Sequence, residues 1–144
     1  MRLRGSPLRV TALRIFVASV DIQLLSPDAD VSAGDWTPST GSTLFECIDE
    51  VVADAADYIS SATETTCEVS FQPGGAVSTA GGYVRYRLLP GAGYVTVALK
   101  QGAAILETWG PHVLLGNYQD FTQLITAVTS DSDNLRLTFT ASNP

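Results

Sequence analysis

Apolar and polar residues alternate with a period of two in a series of short segments separated by turn formers. Cys67, Val69 and Phe71 alternate with Glu68, Ser70 and Gln72, and the run stops at Pro73-Gly74-Gly75. Val84, Tyr86 and Leu88 alternate with Arg85 and Arg87, between Gly81-Gly82 and Pro90-Gly91. Val95, Val97 and Leu99 alternate with Thr96, Ala98 and Lys100, up to Gln101-Gly102. Ile105 to Trp109 makes a shorter run closed by Gly110-Pro111. Leu135, Leu137, Phe139 and Ala141 alternate with Arg136, Thr138 and Thr140. Successive side chains of a strand point to opposite faces, so each run predicts a strand with one side in a core and one in water. Their regular spacing, with turn signals between, predicts an all-β fold: an antiparallel β-sandwich, jelly-roll-like in organisation. The stretch LLPGAGYV, residues 88–95, reads as a hairpin loop joining two of the strands.

Four stretches break the pattern. Phe121, Leu124, Ile125 and Val128 fall at helical spacing, with Asp120 or Thr122 placed to cap the start. One short helix is therefore expected near 119–129, packed across an open end of the sandwich. Residues 44–59, LFECIDEVVADAADYI, carry a helical stripe of Ile48, Val51, Val52 and Ala55. The strand-rich surroundings favour two short extended pieces instead, residues 44–48 entering the sheet and 57–60 re-entering it, with an acidic loop between. Residues 1–29 read as an extended N-terminal arm or added strand, rich in β-branched residues from Arg9 to Leu25, ahead of a sandwich domain over 30–144. The stretch 26–42, SPDADVSAGDWTPSTGS, is dense in turn formers. Its Trp36 is expected to fold back over the sandwich edge.

Composition agrees with β-structure. Ser, Thr and Gly are abundant, and Lys100 is the single lysine. At 144 residues the chain suits one domain with a hydrophobic core that needs neither disulfides nor metal. The net charge is −7, unevenly placed: four of the eight basic residues are Arg2, Arg4, Arg9 and Arg14. The rest of the chain sets four basic residues against all fifteen acids, a body that repels nucleic acid and anionic membranes. The four arginines are the candidate partner-binding residues, as an arm that docks on an acidic surface; the alternative is a solvated end. No apolar run approaches the roughly 20 residues of a membrane span. Residues 10–25 resemble a signal h-region, but Arg14 and Asp21 interrupt it and no small-x-small cleavage site follows.

Candidate chemistry is sparse. His112 is the only histidine and follows Gly110-Pro111, where a surface turn is expected. No GxSxG or HExxH signature accompanies it. Cys47 and Cys67 match no metal or redox spacing, leaving either two buried thiols or a pair formed by adjacent strands. Asp28, Asp30 and Asp35 cluster on one side of residue 44, and Asp49, Glu50, Asp54 and Asp57 on the other. Hard oxygen donors of this type suit Ca²⁺, with Asp49, Glu50, Asp54 and Asp57 as the ligand set, but the EF-hand spacing is missing. The competing reading is a solvated acidic loop with no cofactor. Asp131 and Asp133 read as turn formers. GGAVSTAGG is not a phosphate cradle, because it neither matches GxGxxG nor opens a helix. Trp36, Tyr83, Tyr94, Trp109 and Tyr118 are candidate sugar-stacking residues, or covers for neighbours and subunit contacts.

A set of segments in order resembles a family of small virion-associated β-sandwich proteins of tailed bacteriophages. It begins with a Trp shortly after a Gly, here Gly34-Asp35-Trp36-Thr37-Pro38. A segment like L-x-x-x-I-D-E follows at residues 44–50, then one like D-D-x-D-Y-I at 54–59. Next come V-R-Y-R at 84–87, V-x-L-x-Q-G at 97–102 and an I-x-x-W-like piece at 105–109. A segment like D-L-R-L-x-F-x-A closes the set at 134–141. The order of the segments carries the resemblance, which spans about residues 34–142. Ala55 departs from it where an acid is usual, and so does the N-terminal extension, which puts the mode of attachment in doubt.

The resemblance implies a virion structural protein rather than an enzyme: a capsid decoration (cement) or head-spike subunit that forms a homo-oligomer on the particle. The partners expected are the major capsid protein or other virion proteins. Two alternatives stand beside it: a carbohydrate-binding jelly-roll module on the virion, and a tail- or neck-associated structural protein.

Overall fold

The alternating runs fold as strands, and so do stretches without that pattern. The computed structural model describes residues 8–17, 23–50, 52–76 and 78–143. The strands are β1 (Leu8–Val17), β2 (Gln23–Leu25), β3 (Pro27–Ser32), β4 (Thr37–Pro38), β5 (Ile59–Ser61) and β6 (Thr66–Phe71). They continue as β7 (Tyr83–Leu88), β8 (Tyr94–Gln101), β9 (Ala104–Val113), β10 (Gln119–Leu124) and β11 (Leu135–Ser142). Among the described residues the only helical element is a 3₁₀ turn, Phe45–Cys47. One sheet has the order β10-β7-β1-β5-β4, with β2 also paired to β1; the other has the order β3-β6-β11-β8-β9. Every pairing is antiparallel. The protein is an all-β sandwich.

The core lies between the two sheets. Val10, Ile15, Ile59, Val84, Tyr86 and Leu88 project from the first sheet, and Cys67, Val69, Val97, Leu99, Leu135, Leu137 and Phe139 from the second. All are buried, at about 1.5–3 kcal/mol for each large apolar side chain withdrawn from water. Trp36, Leu44, Cys47 and Ile48 complete the core outside the main strands. Trp36 packs 6.3 Å from the Phe139 ring, and its indole N–H donates to the Thr65 carbonyl at 3.3 Å. The fold-back expected of this Trp is what the structure shows.

Four expectations need correction. Residues 119–129 hold no helix. Their first part is β10, paired with β7 from Gln119↔Leu88 to Leu124↔Tyr83. Gln119, Phe121 and Gln123 take the more enclosed side and Asp120, Thr122 and Leu124 the exposed side. The polar Gln123 faces inward because its amide donates to the Tyr86 hydroxyl, and that hid the period of two. The described part of the expected arm belongs to the fold: β1 lies between β7 and β5, and the expected boundary at residue 29 falls within β3. The loop at 88–95 joins β7 in one sheet to β8 in the other, so it crosses the sandwich and closes no hairpin. Residues 44–48 do not enter a sheet. The Asp30 carboxylate accepts from the Leu44 and Phe45 amides, both at 2.8 Å, and holds the chain in the 3₁₀ turn. Re-entry happens at β5, one or two residues from its expected place.

Candidate functional site

His112 sits on β9 rather than in a surface turn, and it is half-buried. Its Nε2 lies 2.7 Å from the Tyr86 hydroxyl, and its ring is 4.1 Å from that of Phe121. Tyr86 and Phe121 belong to the first sheet and His112 to the second, so the cluster ties the sheets together at their β9–β10 side. Burial pushes the imidazole below its ordinary pKa and the phenol above its own. The histidine faces a phenol and an aromatic ring here, with the geometry of a strut. Cys47 and Cys67 are both free and buried, and burial raises each thiol, Cys67 to about 12.

The acids named for Ca²⁺ are not gathered into a site. Among the described residues no group of three or more His, Cys, Asp or Glu side chains is arranged to hold a metal ion. Asp54 accepts from the Ala56 amide at 2.9 Å. Asp57 accepts from the hydroxyls of Thr40 at 2.7 Å and Ser39 at 3.4 Å. Burial acts to raise the Asp57 carboxyl, but the Thr40 hydroxyl and the other bonds outweigh it and hold it below its ordinary value. Glu50 goes the other way. Its carboxylate oxygens are sealed from water, and burial, reinforced by the Asp57 charge, pushes it up to about 7. Asp28 and Asp35 are likewise engaged, accepting from Ser70 at 2.7 Å and Thr63 at 2.9 Å. These carboxylates fasten loops to the sandwich.

Of the four arginines, Arg9 and Arg14 fall on β1. Arg2 and Arg4 lie outside the described residues. Arg9, on β1, stacks 4.9 Å over the Tyr58 ring and donates to the Pro90 carbonyl at 3.2 Å. Arg14 is also on β1, register partner of Arg85 on β7. Of the candidate sugar-stacking residues, Trp36 is buried, Trp109 packs against the core, and only Tyr83 and Tyr118 are well exposed.

The exposed tyrosines lead to a surface that the sequence did not reveal. Tyr83 is the register partner of Leu124 on β10 and of Phe16 on β1, and Phe16 is the partner of Leu24 on β2. Leu24, Tyr83 and Leu124 thus stand at one level of the sheet. On the face turned away from the core, Leu24, Tyr83 and Leu124 remain 40%, 43% and 48% exposed. The next row holds Thr122, Arg85 and Arg14 in register. The row after that pairs Asp120 with Arg87, which grip each other through two bonds of 2.6 and 2.7 Å. No family model, curated protein or solved structure matches this chain.

The acidic loop shares this face. Thr11 is the register partner of Arg87, so both project from the outer side of the sheet. Its hydroxyl lies 2.8 and 2.7 Å from the carbonyl oxygens of Asp54 and Asp57, which lay the loop over Thr11 and bury it. Asp49 and Asp54 are exposed on the loop, and Val52 is 79% exposed between them. The outer face of the first sheet therefore has two halves, one apolar and basic, the other acidic with an apolar tip.

Proposed function

We propose that this protein is a structural subunit of a tailed-bacteriophage virion, a capsid decoration (cement) or head-spike protein that works as a homo-oligomer against the major capsid protein. The observation that supports this best is the exposed row of Leu24, Tyr83 and Leu124 on a sheet braced from behind by the core. Contiguous apolar surface rimmed by charge is the mark of a protein–protein contact. The phage resemblance adds to it, since its strand-like segments lie on β7, β8, β9 and β11 of this sandwich. The hydroxyl, carboxylate and imidazole groups described above serve packing and loop closure, which suits a building block.

The test is mass spectrometry of purified virions from a phage that encodes this chain. The expected result is peptides of the protein in amounts comparable to those of the major capsid protein. Particles that lack it overturn the proposal.

A further inference from the structure

We infer that the two halves of the outer face of the first sheet are complementary to each other across a two-fold axis, so that this chain forms an isologous dimer with a second copy of itself. The inference rests on the reading of the protein as a self-associating subunit and names the surface involved. In a two-fold interface one patch serves both copies, and residue i of one meets residue j of the other twice. This face fits that rule. One half carries Leu24, Tyr83, Leu124 and the exposed Arg85; the other carries Asp49, Asp54 and the protruding Val52. Both halves belong to one sheet, joined where the loop covers Thr11 beside the Arg87–Asp120 pair. A half-turn about an axis lying parallel to the sheet, in the contact plane between the two halves, turns the outer faces toward each other and sets the Val52 tip of each copy on the apolar row of the other. The same rotation brings Asp54 of each toward Arg85 of the other. An acidic protein of net charge −7 otherwise repels its copies, so opposite charge at the contact decides which faces can meet. A patch about four strands wide lies at the small end of interface sizes, so the dimer is concentration-dependent.

The test is analytical ultracentrifugation of the full chain over a concentration series, with Arg85→Glu, Asp54→Arg and a 1:1 mixture of the two. Circular dichroism and thermal melts check that each variant is folded. The wild type is expected to pass from monomer to dimer as concentration rises. Each single variant sets like charges together at both contacts, and is expected to self-associate about tenfold more weakly or worse. The mixture is expected to recover dimer. In a mixed pair the two substituted side chains, now of opposite sign, meet at one contact, and the native Arg85 and Asp54 meet at the other. A wild type that stays monomeric throughout, single variants that dimerise as the wild type does, or a mixture no better than its components each overturn the inference. A wild-type monomer that is nevertheless found in virions sinks the dimer alone, and a dimer absent from virions sinks the virion role alone.

Discussion

Replacing Glu50 with Gln should remove a pH-dependent cost built into the acidic loop. The folded chain holds this carboxyl at about 7, whereas its ordinary value is 4.5. A group raised in the folded state keeps its proton there after the unfolded chain has lost it. Its stabilising effect is therefore complete below about 4.5, falls as pH rises through the window from 4.5 to 7, and is gone above that. At about 1.4 kcal/mol per pH unit the full cost of carrying the charge is about 3 kcal/mol. Solvent screening at the loop's edge reduces this to about 1–2 kcal/mol. Gln has the shape of the protonated acid and cannot ionise. The assay is urea unfolding of wild type and Glu50→Gln at intervals from pH 4.5 to 8. The two should match at pH 4.5, and the variant should be more stable by about 1–2 kcal/mol at pH 8, a midpoint shift of about 0.5–1 M. His112, held below its ordinary value by burial, pulls the other way as pH falls below about 6.5, but it does so in both proteins and cancels in the difference. Asp57, held below 3.8, titrates outside the window. Parallel stability profiles across the whole range would refute the argument.

Three further outcomes follow from the packing. Phe139→Ala empties a fully buried site beside Trp36 and Tyr86 and should cost about 3–5 kcal/mol, read as a lower urea midpoint with an unchanged slope. Removal of residues 1–17 takes away β1, the strand between β7 and β5, and should abolish cooperative unfolding; a truncated chain that still melts sharply would show that the sandwich does not need it. Gly34→Ala forces a Cβ to within 2.5 Å of the Thr66 carbonyl at a φ of +56°, whereas Gly75→Ala, at +69°, meets nothing within 4 Å. Thermal melts should show Gly34→Ala as clearly the more damaging of the two, the second carrying only the left-handed backbone penalty of about 1–2 kcal/mol.

Strands β6, β7, β8, β9 and β11 were legible in the sequence because a half-buried strand writes its two faces directly into alternate residues. β10 was not, since an inward glutamine bonded to a buried tyrosine breaks the apolar phase and leaves Phe121, Leu124 and Ile125 at helical intervals. The partners of β1 were illegible for another reason: alternation says which side of a strand is buried, and nothing about which strands flank it. The same gap turned the β7–β8 crossing into an expected hairpin. The candidate surface was hidden for the same cause. Leu24, Tyr83 and Leu124 are far apart in the chain and become one row only through the register of four strands. Tyr83 alone gave a hint, lying on the outward phase of its run. The acids were visible as a cluster, but their use as loop fasteners depends on partners such as Thr40 and Ser39, which only the fold brings near.

The position of β1 also bears on how the chain comes into being. Its partners β5 and β7 begin at residues 59 and 83, and β10, which completes the sheet beyond β7, at 119. During synthesis only the end of β1 finds an early partner, in the short β2; the rest of that edge waits for β5 and the whole of the other edge for β7. Pairings this distant in sequence close late and slowly. A nascent strand in that state is an open template for a neighbouring nascent copy on the same message. Output of this protein should therefore depend on translation speed and on chaperones that shelter an emerging N-terminal segment, more than its final stability would suggest.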